Sequence, residues 1–130
     1  FKKHTFQTIF LKMEFDDLPK VEIFYVHTDS DPELLKFMLG MYDGLVLAGT
    51  GSGNYPTKIK EVLENYTGEC TVVRASRVLE GAVFDSEIFD SKRVTIPAYK
   101  FSAQKARILL MLALNCTKNH EIIKSFFQEY

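Results

Sequence analysis

Cysteine is scarce in this sequence, long apolar runs are missing, and neither sign of charge is in excess. Only two cysteines occur in 130 residues, Cys70 and Cys116. They lie far apart with no histidine or second cysteine at metal-ligand spacing, so neither a zinc site nor a disulfide framework is encoded, and no metal is expected. A single bridge between them stays open, with two buried free thiols as the expected state. Lys and Arg number 16 against 17 Asp and Glu, a net charge of −1. A balance of that kind leaves no basic footprint for nucleic acid or for an anionic membrane surface. The longest apolar stretch, Ile108 to Leu114 in RILLMLALN, is far too short to span a bilayer, so a soluble chain with no membrane partner is expected. There is no internal repeat and no low-complexity segment. Residue 1 is Phe, and FKKHTFQTIF has neither the apolar core nor the cleavage site of a signal peptide. The expectation is a piece of a longer chain, cut at its front.

What is present suits one globular domain. Hydrophobic residues make up 46% and charged residues 25%, and a chain of this length can bury about two thirds of its unfolded surface. Four β-rich runs stand out: VEIFYV from Val21, GLVLA from Gly44, CTVVRA from Cys70 and VTIPA from Val94. They are nearly continuous in apolar residues, as in parallel strands covered on both faces. DPELLKFMLGMY lies between the first two, with Asp31 as cap, Pro32 at the first helical position, and Leu34, Met38 and Met41 predicted on one apolar face. PTKIKEVLENY follows the second run with a stripe of Ile59, Val62 and Leu63. Two further helices are predicted after the fourth run, one capped by Ser102 and one by Asn119, the latter with Ile122, Ile123, Phe126 and Phe127 inward. The expected fold is α/β: a small three-layer domain with a four-stranded parallel sheet of Rossmann or flavodoxin type.

Ligands of open parallel sheets gather at the carboxyl ends of the strands. Those ends carry His27, Thr28 and Asp29, then Gly49 to Asn54, then Ser76 and Arg77, then Tyr99. The turn AGTGSGN places Gly49, Gly51 and Gly53 at alternate positions, with Asn54 where a dinucleotide fingerprint has its third glycine. Exposed backbone N–H groups there suit an anion, and a nucleotide-binding module using Arg74 or Arg77 is one reading. A tight strand-to-helix turn with Asn54 as helix cap is the plainer one. His27, Asp29 and Ser30 have the residue types of a hydrolase triad, but neighbours along a chain end seldom converge, and a polar loop is favoured. Arg74, inside a strand, is expected to pair with Glu87 or Asp90. The stretch SRVLEGAVFDSEIFDSKR between Ala75 and Val94 shows no convincing helix, and long irregular connections in compact domains are usually functional.

The segments VVRASRVLEGAV, QKARILLMLAL, YDGLVLAGTGSGN and KKHTF…DDLPKV, in that relation along the chain, resemble the C-terminal domain of the bacterial L-asparaginase and glutaminase-asparaginase family, in particular its type II branch. IIKSFFQEY resembles that family's usual chain end. The resemblance implies residues 1–20 as an interdomain linker and 21–130 as the C-terminal domain. It implies an N-terminal domain bearing the catalytic threonines, whose motifs this chain lacks, so the chain alone is expected to be inert and to need no cofactor. It also implies a homo-oligomer, a tetramer built as a dimer of dimers, in which this domain lends two residues to a neighbour's site for L-asparagine or L-glutamine. By position those are Asn54 and Glu87, the latter allowing one deletion between Gly81 and Asp85, with Asp85 as the alternative. Periplasm and cytoplasm both stay open. The matching domain of the archaeal transfer-RNA amidotransferase subunit is a further relative the same residues would suit.

Overall fold

The computed structural model of the chain describes residues 18–27, 29–49, 55–76 and 95–130. Four parallel strands, β1 (Val21–Tyr25), β2 (Gly44–Gly49), β3 (Thr71–Ser76) and β4 (Thr95–Pro97), form one sheet in the order β1-β2-β3-β4. The helices are α1 (Pro32–Met41), α2 (Thr57–Glu64), α3 (Ala103–Cys116) and α4 (His120–Glu129). Asp31 accepts from the Glu33 N–H, Ser102 from the Lys105 N–H and Asn119 from the Ile122 N–H, so three helices begin at side-chain caps.

Strand side chains alternate between two cores. Ile23, Val46, Val73 and Ile96 are register partners in one row across the sheet, on the face packed by Ala106, Leu110, Ile123 and Phe127 of α3 and α4. Phe24, Leu45, Leu47 and Val72 face the other way, against Leu35, Leu39, Ile59 and Leu63 of α1 and α2. The expected three layers are therefore present. Every residue of β2 is buried, which explains why that strand reads as an unbroken apolar run.

Two helix faces differ from expectation. In α1 the core is met by Leu35 and Leu39, whereas Leu34 is 48% and Met41 52% exposed. The helix is apolar nearly all round, so periodicity alone could not choose between two stripes one residue apart. In α4, Ile122 is exposed while Ile123, Phe126 and Phe127 are buried. Both cysteines are free, but Cys116 is exposed rather than buried, and Cys70 is half-buried. Among the described residues no helix is long and apolar enough to cross a membrane.

The amino end of the sheet is closed by local bonds. Asp43 accepts from the Lys20 N–H at 2.8 Å through its carboxylate and returns its own N–H to the Lys20 carbonyl at 2.9 Å. Its carbonyl accepts from the Thr71 N–H at 3.1 Å. One residue thus ties the entrances of β1, β2 and β3 together.

Candidate functional site

In a parallel sheet the carboxyl ends of all strands emerge on one edge, and the register brings two of them together here. Gly49, the last residue of β2, is the register partner of Ser76, the last of β3. Adjacent strands stand about 4.8 Å apart. Residues 50–54 and 77–94, which carry Asn54 and Glu87 along the chain, therefore depart from neighbouring positions. Asn54 and Glu87 lie outside the described residues, as do Thr28, Arg77, Asp85 and Asp90.

One alternative for Asn54 is corrected by the helix that follows it. The N-cap of α2 is Pro56, without a side-chain cap bond, and the first helical residue is Thr57. Asn54 stands two positions before the cap, so helix capping does not account for an asparagine there.

The His27, Asp29 and Ser30 group resolves into a turn that satisfies itself. The Ser30 hydroxyl accepts from the His27 N–H at 2.8 Å and donates to the Tyr25 carbonyl at 3.4 Å. His27 Nδ1 accepts from the Asp29 N–H at 3.3 Å. The imidazole and the hydroxyl are each engaged with backbone, whereas a triad needs them bonded to one another.

The nucleotide reading loses its structural setting. Dinucleotides bind where a sheet's strand order reverses, and the order here runs straight across, β1 to β4. The described sheet has no reversal to make a crevice of its own, so a ligand at its carboxyl edge needs walls from elsewhere.

Arg74 lies inside the sheet and is 1% exposed. Its Nε donates to Thr95 Oγ1 at 2.7 Å. Thr95 is a partner the sequence did not suggest, because only the register reveals that the first residue of β4 comes beside β3. At the same edge, Tyr99 follows β4 with φ of 53°, in the left-handed region that bulky residues rarely adopt. Its hydroxyl accepts from Gln128 Nε2 at 3.0 Å, which links the strand's end to α4.

Two grooves lie away from this edge. One of about 600 Å³ runs between α1 and α2 and is lined by Glu33, Lys36, Lys58 and Glu61. Another of about 680 Å³ sits at the amino end of the sheet beside Lys20, Asp43, Glu69 and Cys70. Burial, with the Asp43 carboxylate adding to it, pushes the Cys70 thiol up to about 12. That thiol is no nucleophile at neutral pH. Among the described residues no three His, Cys, Asp or Glu side chains come together to hold a metal ion.

Comparison with known proteins gives this geometry its context. The chain matches the Glutaminase/Asparaginase C-terminal domain family over residues 20–127. It is 38% identical over 131 residues to a probable periplasmic L-asparaginase of Haemophilus influenzae, covering 98% of this chain and 38% of that protein. It is 37% identical over 132 residues to L-asparaginase 2 of Escherichia coli, covering 99% of this chain and again 38% of the relative. Among solved structures, a probable cytoplasmic L-asparaginase from Campylobacter jejuni superposes with a TM-score of 0.75 at 33% identity, over 88% of this chain and 38% of that one. The chain spans less than two fifths of the length of these relatives.

Proposed function

Because the chain belongs to the Glutaminase/Asparaginase C-terminal domain family, we propose that it is the C-terminal domain of an L-asparaginase that lends Asn54 and Glu87 to the active site of a neighbouring subunit. The observation that carries this is the pairing of Gly49 with Ser76. It starts the segments bearing Asn54 and Glu87 side by side, at an edge whose sheet provides no crevice of its own. A shared site supplies the missing walls. Residues 1–20 serve as linker to the N-terminal domain in this proposal, and the oligomer is a dimer of dimers.

The chemistry sets what each part must do. Hydrolysis of the side-chain amide converts L-asparagine and water into L-aspartate and ammonia. A threonine hydroxyl outside this chain attacks the amide carbon, the C–N bond breaks, and ammonia leaves. Water then cleaves the resulting ester to restore the hydroxyl and release the carboxylate. The substrate also brings a fixed α-ammonium, and Glu87 supplies a carboxylate for it through a charge-assisted hydrogen bond. The Asn54 amide offers both a donor and an acceptor to the bound amino acid. L-Glutamine, one methylene longer, presents the same groups and is the second substrate to examine.

The shared site is tested by mixing subunits. Full-length Glu87→Ala subunits co-assembled with subunits lacking the nucleophilic threonine regenerate some sites that hold both an intact nucleophile and an intact carboxylate, so activity partly returns. Mixed oligomers that form, as seen by native mass spectrometry, yet stay as inactive as either parent exclude the assignment.

A further inference from the structure

One edge of the sheet is closed by side chains rather than by another strand. β1 ends the strand order, with β2 on one side and no partner strand on the other among the described residues. Lys20 accepts from the Gly44 N–H at 3.2 Å and Val26 donates to the Ala48 carbonyl at 2.8 Å, so even-numbered residues turn their backbone groups towards β2. By alternation Val21, Ile23 and Tyr25 turn theirs outward. β1 reads VEIFY, in which four of five residues are β-branched or aromatic. An open row of N–H and C=O groups on such a strand is a template for pairing with another chain.

Each of the three outward residues is met by a side chain instead. Arg107 of α3 donates from Nε to the Val21 carbonyl at 2.9 Å. The Glu22 carboxylate accepts from the Ile23 N–H at 2.9 Å. The Ser30 hydroxyl donates to the Tyr25 carbonyl at 3.4 Å. Two of these bonds come from charged groups, which makes them the harder to displace. Glu22 is also the one charged residue of β1, and its register partner Leu45 is fully buried. A strand added beyond β1 would take water from that half-buried carboxylate.

The occupant these groups exclude is a second copy of the same strand. Antiparallel pairing of two β1 strands about a twofold axis at Ile23 would set Val21 of each copy against Tyr25 of the other, and Ile23 against Ile23. Such a contact closes on itself and matches apolar residues with one another. It would need the Val21 carbonyl, the Ile23 N–H and the Tyr25 carbonyl, the groups already bonded. We propose that Arg107, Glu22 and Ser30 guard the outer edge of β1 against pairing with a second copy of the chain, so that assembly uses other surfaces. This guard is independent of the roles given to Asn54 and Glu87.

The test follows the mass of the full-length protein by sedimentation velocity over about a hundredfold range of concentration. The parent should keep one mass throughout. Glu22→Thr and Arg107→Met should each form species at multiples of that mass, with association about a hundredfold tighter than in the parent, because a bond from a charged group opposes pairing by about tenfold and the twofold counts it twice. Tyr25 is 50% exposed and its N–H points away from β2, so Tyr25→Pro removes a donor that self-pairing needs and spares the β1–β2 ladder. Added to either variant, it should restore the parent's mass. If Arg107→Met fails to fold for want of the tie between α3 and β1, Glu22→Thr carries the test alone. Variants that keep the parent's mass over the whole range, or association that survives Tyr25→Pro, overturn the guard. A Tyr25→Pro protein that does not fold overturns it as well, since the N–H would then belong to the ladder.

Discussion

The Tyr66 hydroxyl accepts a hydrogen bond from the Cys70 backbone N–H at 2.7 Å. The same hydroxyl donates to the Leu39 carbonyl at 3.4 Å. One phenol thereby joins the last turn of α1, the chain that leaves α2, and the approach to β3. These contacts fix the amino end of the sheet, opposite the edge from which the Asn54 and Glu87 segments leave.

Tyr66→Phe is expected to destabilise the fold by about 1–2 kcal/mol, the price of leaving the Cys70 N–H without its acceptor in a half-buried place. Gly68→Ala should act through the same ring. A β-carbon at residue 68 would come within 2.7 Å of Tyr66 Cε1 and Cζ, and closer still to its hydroxyl, so the phenol must move and give up its bonds. Overpacking of this kind costs about 1–3 kcal/mol. Urea unfolding of the single and double variants checks both. The Gly68→Ala penalty should largely disappear in a Tyr66→Ala background, and additive effects would contradict the contact.

Stability should fall on the alkaline side, with Cys70 as a principal cause. Its thiol ionises near the ordinary 9.0 in the unfolded chain and near about 12 in the folded one, where burial and then Asp43 oppose the thiolate. A raised folded value means that the unfolded state sheds its proton first. The contribution is therefore fully present below pH 9 and is lost progressively as pH climbs to about 12. Burial raises Tyr66 as well, so its loss begins near pH 10. Melting temperature against pH for Cys70→Ala should show a flatter limb over this window than the parent. Labelling at pH 8 should modify the exposed Cys116 well before Cys70.

The two faces of α1 should separate cleanly. Leu35 is fully buried against the sheet, whereas Leu34 is about half exposed and Phe37 is 61% exposed. Leu35→Ala should cost about 2–5 kcal/mol, and Leu34→Ala or Phe37→Ala about 0.5 kcal/mol or less in the isolated domain. Chemical denaturation distinguishes these from the reverse order that the Leu34, Met38, Met41 stripe would require.

Asn54→Ala in the full-length enzyme should reduce turnover far more than melting temperature. Pro56 occupies the α2 cap, so the stabilisation of about 1 kcal/mol that a capping asparagine provides is not lost with the side chain. Misplacing bound substrate by about 1 Å costs on the order of a hundredfold in rate. A drop of several degrees with an unchanged rate per folded enzyme would contradict this role.

Much of this protein was legible before any coordinates. The apolar runs hold the strands Val21–Tyr25, Gly44–Gly49, Thr71–Ser76 and Thr95–Pro97, the middle two buried along nearly their whole length as continuous hydrophobicity implies, and three of the four helices begin at the caps the sequence named, Asp31, Ser102 and Asn119. These features depend on residues a few positions apart, so local chemistry decides them. The candidate pair Asn54 and Glu87 came from resemblance of strings, not from pattern, and both lie outside the described residues.

Other features belong to the tertiary structure alone. Which stripe of α1 turns inward was decided by the position of the sheet, since Leu34 and Leu35 are equally apolar and only one can meet Leu45 and Leu47. The straight strand order is a choice of which strands become neighbours, and the pairing of Gly49 with Ser76 and the meeting of Arg74 with Thr95 across 21 positions of sequence follow from register between those neighbours. Register is set by the combined fit of every side chain on two faces at once, and no window of sequence short enough to read contains that information.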